Sequence, residues 1–416
     1  MHYEEKQGFP EGSISMSDRS VRTPHTVNNE TKFQNKGENM KRNRLISKTL
    51  AAGAMLSSLT GRDAHAQKRL PPDPKNIRVG WVGTGPFTFY GHYMRVLNMS
   101  EEYNLLNMRV THIWGDDYSK NYRGRPEWVK DMVDRWNSGS QAPANLVKLY
   151  NIPNLCKDYH EMVDEVDAAM IMDFDRSHEL AEPFLKQGKP IFLCSPVAVN
   201  VPACEHILNL AKENNAAVFS GSFTMAYPPN VSRNNRVRHE NIASFFASTG
   251  HAFFTSYAND GLEPVYWLVG SGVRKVQLVG WDGSKGYDPP GIPVSRIHLE
   301  YEPRGNNPPI QGVLTLGGYK NETEWYKVYY RDHTLLEGVT NSSGPVFNFR
   351  DFLINIQETF ATNTSPETPE DILNKLKVII AAYKSANEGN RPVSIDEVGD
   401  YRLPTIRIEK WDEIPK

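Results

Sequence analysis

Between residues 77 and 221, short apolar runs alternate with helix-patterned segments, and no other feature constrains the fold as much. The runs are IRVGWVG (77–83), NMRVTHIWGDD (107–117), DAAMIMDF (167–174), PIFLC (190–194) and AAVFSG (216–221). HYMRVLNMS, residues 144–150, HELAEPFLKQG and ACEHILNLAKENN read as the helices between and beside them. A strand–helix–strand unit in one sheet crosses over right-handed, so the series predicts an α/β fold with a doubly wound parallel sheet.

The pattern changes after Tyr227-Pro228-Pro229. PVYWLVGSG reads as a helix and RKVQLVGWDG as a strand. SRIHLEYE alternates, with Ile297, Leu299 and Tyr301 on one face, and GVLTLGGY and EWYKVYY continue in that style. This predicts a half-buried, mainly antiparallel sheet in a second, α+β domain. GNNPP and TNSSG read as loops, and ATNTSPET as a linker. A last helix follows, with Thr368 as N-cap, Pro369 at the first position, Asp371 completing an approximate capping box and Gly389 beyond its end. Its apolar face is Ile372, Leu373, Leu376, Ile379, Ile380 and Tyr383.

The first 66 residues stand apart. Residues 1–39 are polar and read as a disordered or mis-started extension. Residues 40–66 have the layout of a signal peptide: Lys41, Arg42, Arg44 and Lys48, then an apolar run from Leu50 to Leu59, then Ala64-His65-Ala66 as a small-x-small cleavage site. The apolar run is too short to span a bilayer. This predicts a start at Met40, cleavage after Ala66 and a periplasmic product; a disordered basic arm is the competing reading. NRLIS is one Arg short of a twin-Arg signal, so the route stays open. The remaining divisions are 67–222 for the parallel-sheet domain, 223–370 for a substrate and oligomerisation domain, and 371–416 for a helix and tail packing back on the core. A formal charge of −2 gives no electrostatic case for nucleic acid. Cys156, Cys194 and Cys204 imply no disulfide framework, and no His/Cys/carboxylate spacing signals a metal site.

Gly83-x-Gly85 follows the first strand and opens a helix, the context of a dinucleotide-binding turn. Gly83 allows the tight turn and Gly85 lets a pyrophosphate approach the helix N-terminus, with Pro86 and Phe87 in the same turn. The third glycine of the fingerprint falls at Thr88, so the match is partial. Asp116 and Asp117 end the second strand, where an acid holds a ribose hydroxyl, and this favours NAD over NADP. A glycine turn without cofactor and a solvated strand end are the plainer alternatives. The corner KPIFLCSPVAV (189–199) ends a strand at Cys194, Ser195 and Pro196, at the sheet edge where ligands bind in α/β folds.

The segment YHEMVDEVDAAMIMDFDRSHELAEPFLKQGKPIFLCSPVAV resembles the Gfo/Idh/MocA oxidoreductases, the glucose–fructose oxidoreductase and inositol dehydrogenase family. Asp158-Tyr159, Val166-Asp167-Ala168, His178, Gly188-Lys189 and Pro196 fall at the family's motif positions. YANDGLEPVYWLVGSGVRKV is similar to the family's second-domain helix and strand, so the resemblance runs over about residues 77–395. It implies a Rossmann domain followed by a domain with an open antiparallel sheet often used in oligomer contacts. It also implies a nicotinamide cofactor, with Asp173, His178 and Pro196 near it, and a carbohydrate-like substrate.

Two positions depart from the family pattern. Ser195 stands where the family has the Lys that stabilises the reacting oxygen, and Asp260 where a His is the common acid–base group. A serine is uncharged and a poor acid or base without an activating partner. Asp260 serves as a base only if burial raises its pKa; Asp260 and Glu263 also fit a capping pair. Tyr257 is a second candidate acid, against a core aromatic. His251 reads as a core residue, and Cys194 has no basic neighbour to activate it. Tyr227, Arg233, Arg236, Trp267 and Trp281 are candidates for a sugar cleft.

Three functions follow. The chain is an NAD(P)-dependent oxidoreductase on a sugar or polyol derivative with a non-standard acid–base site; or a glycoside-modifying enzyme with retained NAD; or a catalytically degenerate relative that binds a nucleotide or carbohydrate. Export sharpens the choice, since an exported protein must carry a tightly held cofactor out while folded, or have none. Turnover with exchangeable NAD is expected to be weak or absent, and the alternating sheet predicts a homo-oligomer.

Overall fold

A computed structural model describes residues 76–83, 93–94, 97–98, 107–115, 143–173, 175–221, 241–249, 261–263, 265–266, 268–280, 295–316, 323–341 and 345–403. Six strands form the first sheet: β1 (Ile77–Val82), β2 (Met108–Trp114), β3 (Asn154–Leu155), β4 (Ala168–Ile171), β5 (Ile191–Leu193) and β6 (Val218–Phe219). Their order is β3-β2-β1-β4-β5-β6 and every pairing is parallel. This is the doubly wound order, reversing direction between β1 and β4. β4 is buried along its whole length, as an unbroken apolar run in a parallel sheet requires. Gly80 makes room for the turn Tyr159–Met162: a Cβ there would lie 2.7 Å from the Met162 sulfur.

Three described helices accompany this sheet: α1 (Pro143–Tyr150), α2 (Ser177–Lys186) and α3 (Val201–Glu213). α3 starts two residues before the span its sequence suggests. Asn200 accepts a hydrogen bond from Ala203 N (3.0 Å), and Pro202 sits in the first turn, where its missing N–H costs nothing.

The second sheet has seven strands: β7 (Ile242–Thr249), β8 (Val273–Val279), β9 (Ser295–Tyr301), β10 (Gln311–Leu316), β11 (Thr323–Tyr330), β12 (Leu335–Asn341) and β13 (Val393–Ser394). The order is β12-β11-β7-β10-β9-β8-β13, antiparallel except for β7 beside β10. The predicted alternation holds in β9, where Ile297, Leu299 and Tyr301 are all buried. β7 and β10 meet through a ring-for-hydrogen exchange: a Cβ on Gly312 would fall 2.0 Å from the Phe245 ring.

Two long helices complete the described chain, α4 (Pro345–Thr362) and α5 (Pro369–Asn387). α5 carries the cap read from sequence: Thr368 Oγ1 accepts from Asp371 N (3.1 Å), and Gly389 beyond its end adopts φ +73°. α4 is absent from the sequence reading. It buries Phe352, Leu353, Ile356 and Phe360 against Trp81, Phe192 and Phe219, closing one face of the parallel sheet. Phe352 lies edge-on to Phe192 at 5.5 Å between centroids. The other face packs on α2 and α3, and that core continues into the inner face of the second sheet and α5. Among the described residues, no helix is long and apolar enough to cross a membrane.

Candidate active site

The order of the parallel sheet places its switch point between β1 and β4, at the carboxyl ends of the strands. Gly83 leaves β1 there with φ +91°, a conformation that L side chains rarely adopt. Its N–H donates to Trp114 O (2.8 Å), tying the turn to the end of β2. A Cβ on Gly83 would lie 2.8 Å from Asp173 Cβ, so the bare backbone of Gly83 packs directly on Asp173 beyond β4. Met172 N donates to Val82 O (2.7 Å) and holds that contact.

Asp173 and Asp175 are buried carboxylates. Asp173 Oδ1 accepts from Asp175 N (3.1 Å), an Asx-type turn leading into α2. Ser177, the first residue of α2, donates from Oγ to Val197 O (2.7 Å) and anchors the loop beyond β5. Next to it, His178 keeps its Nδ1 buried without a hydrogen-bond partner among the described residues. Burial pushes the His178 imidazole below its ordinary pKa; Glu179 opposes this, and His206, Arg402 and Arg176 reinforce it. The ring is therefore neutral near pH 7.

The corner after β5 is held from both sides. Cys194 N donates to Ile171 O (2.9 Å), and Leu403 N, from the C-terminal tail, donates to Val199 O (2.8 Å). The Ser195–Pro196 peptide is cis. Ser195 Oγ is buried and finds no hydrogen-bond partner among the described residues. A buried hydroxyl left unpaired costs about 1–3 kcal/mol. Of the other thiols, burial pushes Cys204 up to about 12 and raises Cys156. Neither is an activated nucleophile.

The structure thus brings Gly83, Asp173, His178, Ser195 and Pro196 to one edge of one sheet. Gly85, Pro86, Phe87, Asp116, Asp117, His251, Tyr257 and Asp260 lie outside the described residues, as do Tyr227, Arg233, Arg236, Trp267 and Trp281. The site fits a dinucleotide in one respect, the Gly83 turn, whose backbone any side chain would crowd. Among the described residues no three His, Cys, Asp or Glu side chains are placed to hold a metal ion.

Sequence reasoning missed the contacts of Glu263. Its carboxylate takes Lys375 Nζ at 2.6 Å, deep in the protein. Lys375 is more than a hundred residues away and lies on the apolar face of α5, where nothing in the local pattern marks it. A separate shallow groove of about 510 Å³ lies on the outer face of the second sheet. Phe246 and Trp325 stack in it at 5.0 Å, beside His298, Gln311 and Lys327.

Residues 77–222 match the model of the oxidoreductase family with NAD-binding Rossmann fold, Gfo/Idh/MocA. No curated protein matches the chain. Solved structures similar to it include a probable dehydrogenase from Thermotoga maritima, 14% identical, with 77% of this chain and 100% of that one covered at a TM-score of 0.55. A scyllo-inositol dehydrogenase from Lactobacillus casei with bound NAD(H) and scyllo-inositol is 15% identical, with 78% and 100% covered and a TM-score of 0.55. A myo-inositol 2-dehydrogenase from Lactobacillus plantarum is 14% identical, with 77% and 99% covered and a TM-score of 0.54. At these identities the similarity speaks for the fold. Residues 77–222 of this chain therefore form a Rossmann-type domain that matches the Gfo/Idh/MocA oxidoreductase family.

Proposed function

We propose that this chain is an NAD(P)-dependent oxidoreductase acting on a sugar or polyol derivative, with a non-standard acid–base site. The observation that carries this reading is the buried, unpaired Ser195 hydroxyl at the carboxyl edge, two residues past Leu193, which pairs with Ile171 of β4 beside the switch point. A bound nicotinamide supplies the hydride acceptor or donor. Gly83 keeps the first turn open for the dinucleotide backbone. Ser195 gives its hydrogen bond to the substrate oxygen and orients it. His178, neutral at pH 7, leaves a ring nitrogen free for a polar group of cofactor or substrate. Proton transfer then falls to Asp260 or Tyr257 as base and acid. NAD is favoured over NADP by the acids at 116 and 117. Similarity to inositol dehydrogenases supports a polyol-like substrate.

A second reading is favoured by Ser195 itself, which carries no charge for the reacting oxygen: a relative that binds nucleotide or carbohydrate without turnover. The signal-like segment 40–66 supports a periplasmic location and, with it, a retained cofactor. A retained cofactor also suits a glycoside-modifying enzyme that oxidises and re-reduces its substrate in one turnover. The open sheet face supports a homo-oligomer.

The test is a single-turnover experiment. The protein loaded with NAD is mixed with a panel of sugars and polyols, and the near-ultraviolet absorbance of reduced nicotinamide is followed without added cofactor. A rise with at least one substrate is expected. No change with any, in protein shown to hold NAD, favours the binding relative.

A further inference from the structure

Lys375 is the only lysine of α5 on its buried side. Its Nζ donates to Glu263 Oε1 (2.6 Å), to Glu367 and to Ser220 O (3.2 Å). The Lys375, Glu263 and Glu367 side chains are 3%, 1% and 7% exposed. Glu367 also accepts from Ser220 N (3.1 Å). One ammonium and its carboxylates therefore gather three separate pieces of chain. Ser220 directly follows β6 at the carboxyl edge of the parallel sheet. Glu263 is one of the helical residues 261–263. Glu367 lies in the connection before α5.

Burying one ammonium and two carboxylates costs several kcal/mol per ion before their attraction is counted, and apolar residues of similar size often stabilise as well or better. Stability alone is thus a weak account of the cluster. Its geometry offers a better one. β6 pairs with β5 in the register Phe192 to Phe219, so the Ser220 that Lys375 holds lies beside the exit of β5 toward Ser195. The same segment of chain makes two more contacts with this domain, one at the amino end of β6 and one in the loop beyond β5. Asn363 Oδ1 accepts from Ala217 N (2.7 Å), and Leu403 N donates to Val199 O (2.8 Å). Residues 363–403 thus hold the edge strand of the Rossmann sheet, and among the described residues Lys375 is the side chain that joins Ser220 to Glu263, with Tyr266 Oη donating to the neighbouring Asn374.

We propose that Lys375 is a positioning residue that locks the helical residues 261–263, through Glu263, to the carboxyl edge of the parallel sheet at Ser220, so that cofactor affinity depends on a residue that does not touch the cofactor. The inference rests on reading that edge as the cofactor site.

The test compares the full chain with Lys375→Met and Lys375→Arg in two measurements: hydrogen–deuterium exchange without ligand, and titration with NADH and NADPH. In K375M, peptides covering 217–221 and 261–263 are expected to exchange about tenfold faster while β1 and β4 stay unchanged, because the loosening is local. The dissociation constant for the preferred nucleotide is expected to rise about tenfold, within the usual span of coupling between sites, and K375R should recover most of it. Uniformly faster exchange, or unchanged affinity despite local loosening, would overturn the proposal. Absence of nucleotide binding by the parent chain would remove the cofactor reading instead, and the exchange pattern would still decide whether Lys375 locks the two elements. If K375M fails to fold, Glu367→Gln, which keeps the Lys375–Glu263 pair, is measured the same way. A weaker nucleotide affinity together with faster exchange at 217–221 supports the lock, and either quantity staying at the parent value contradicts it.

Discussion

Gly83 and Asp173 are in direct backbone-to-side-chain contact across the switch point, with no room for a single carbon between them: a Cβ on Gly83 would sit 2.8 Å from Asp173 Cβ. Gly83→Ala therefore meets two obstacles, the contact and φ +91°. We expect a loss of about 1–3 kcal/mol in stability by denaturant unfolding, and loss of nucleotide binding in whatever fraction stays folded. Full binding with unchanged stability would mean that the turn adapts and does not shape the site.

Ser195→Ala separates the two costs of an unpaired hydroxyl. Removing a buried polar atom that has no partner leaves the free protein as stable as before, within about 0.5 kcal/mol, or slightly more stable. The same change should weaken substrate binding or slow the single-turnover signal about tenfold or more, by loss of one hydrogen bond in a buried site. Unfolding midpoints and stopped-flow absorbance check the two halves. A clear loss of stability would show that Oγ has a partner in the folded protein.

His178 makes part of the stability depend on pH. Its folded pKa is lowered, chiefly by burial, so between that value and the ordinary one of about 6.5 the unfolded chain binds more protons than the folded one. Stability from this residue is thus intact above about pH 6.5 and falls as pH drops toward the folded pKa. Replacing it by Gln should flatten the fall in melting temperature between about pH 7 and pH 5. Carboxylates held low by their partners, such as Glu182 beside Lys186, lose stability in the same direction, so the comparison of variant with parent is the readout. Parallel curves for the two proteins would contradict the assignment.

The second sheet has its own close contact. Gly312→Ala would drive a Cβ into the Phe245 ring, 2.0 Å away in β7. We expect a loss of about 1–3 kcal/mol, as for other overpacked cores. Phe245→Leu in the same chain should recover a large part of it, which a double-mutant cycle of melting curves would read. Strict additivity would place the strain elsewhere.

Much of this fold is written locally. The buried strand at 168–171 has no polar residue, the last helix announces itself with Thr368-Pro369, and β9 alternates in strict period. Local pattern failed where partners are distant. α4 has aromatic and polar residues on a modest amphipathic face, and its role appears only when Phe352 meets Phe192 and Phe219 from other parts of the chain. The site divides in the same way. Gly83 and Ser195 stand out because strand, turn and corner chemistry are local. Lys375 does not, because its partners Ser220 and Glu263 are 155 and 112 residues away. Burial disfavours its ammonium, yet Glu263 and Glu367 outweigh that and hold its pKa above the ordinary lysine value.

The central claim is that the carboxyl edge around Gly83 and Ser195 holds a nicotinamide dinucleotide. The most direct test is the cofactor content of the purified, folded chain. The protein is denatured, the supernatant is assayed for NAD(H) and NADP(H), and the refolded apo form is titrated with each. The account predicts about one mole of nicotinamide cofactor per mole of chain, NAD in preference to NADP. Protein that carries none, and binds neither at millimolar concentration, would contradict it.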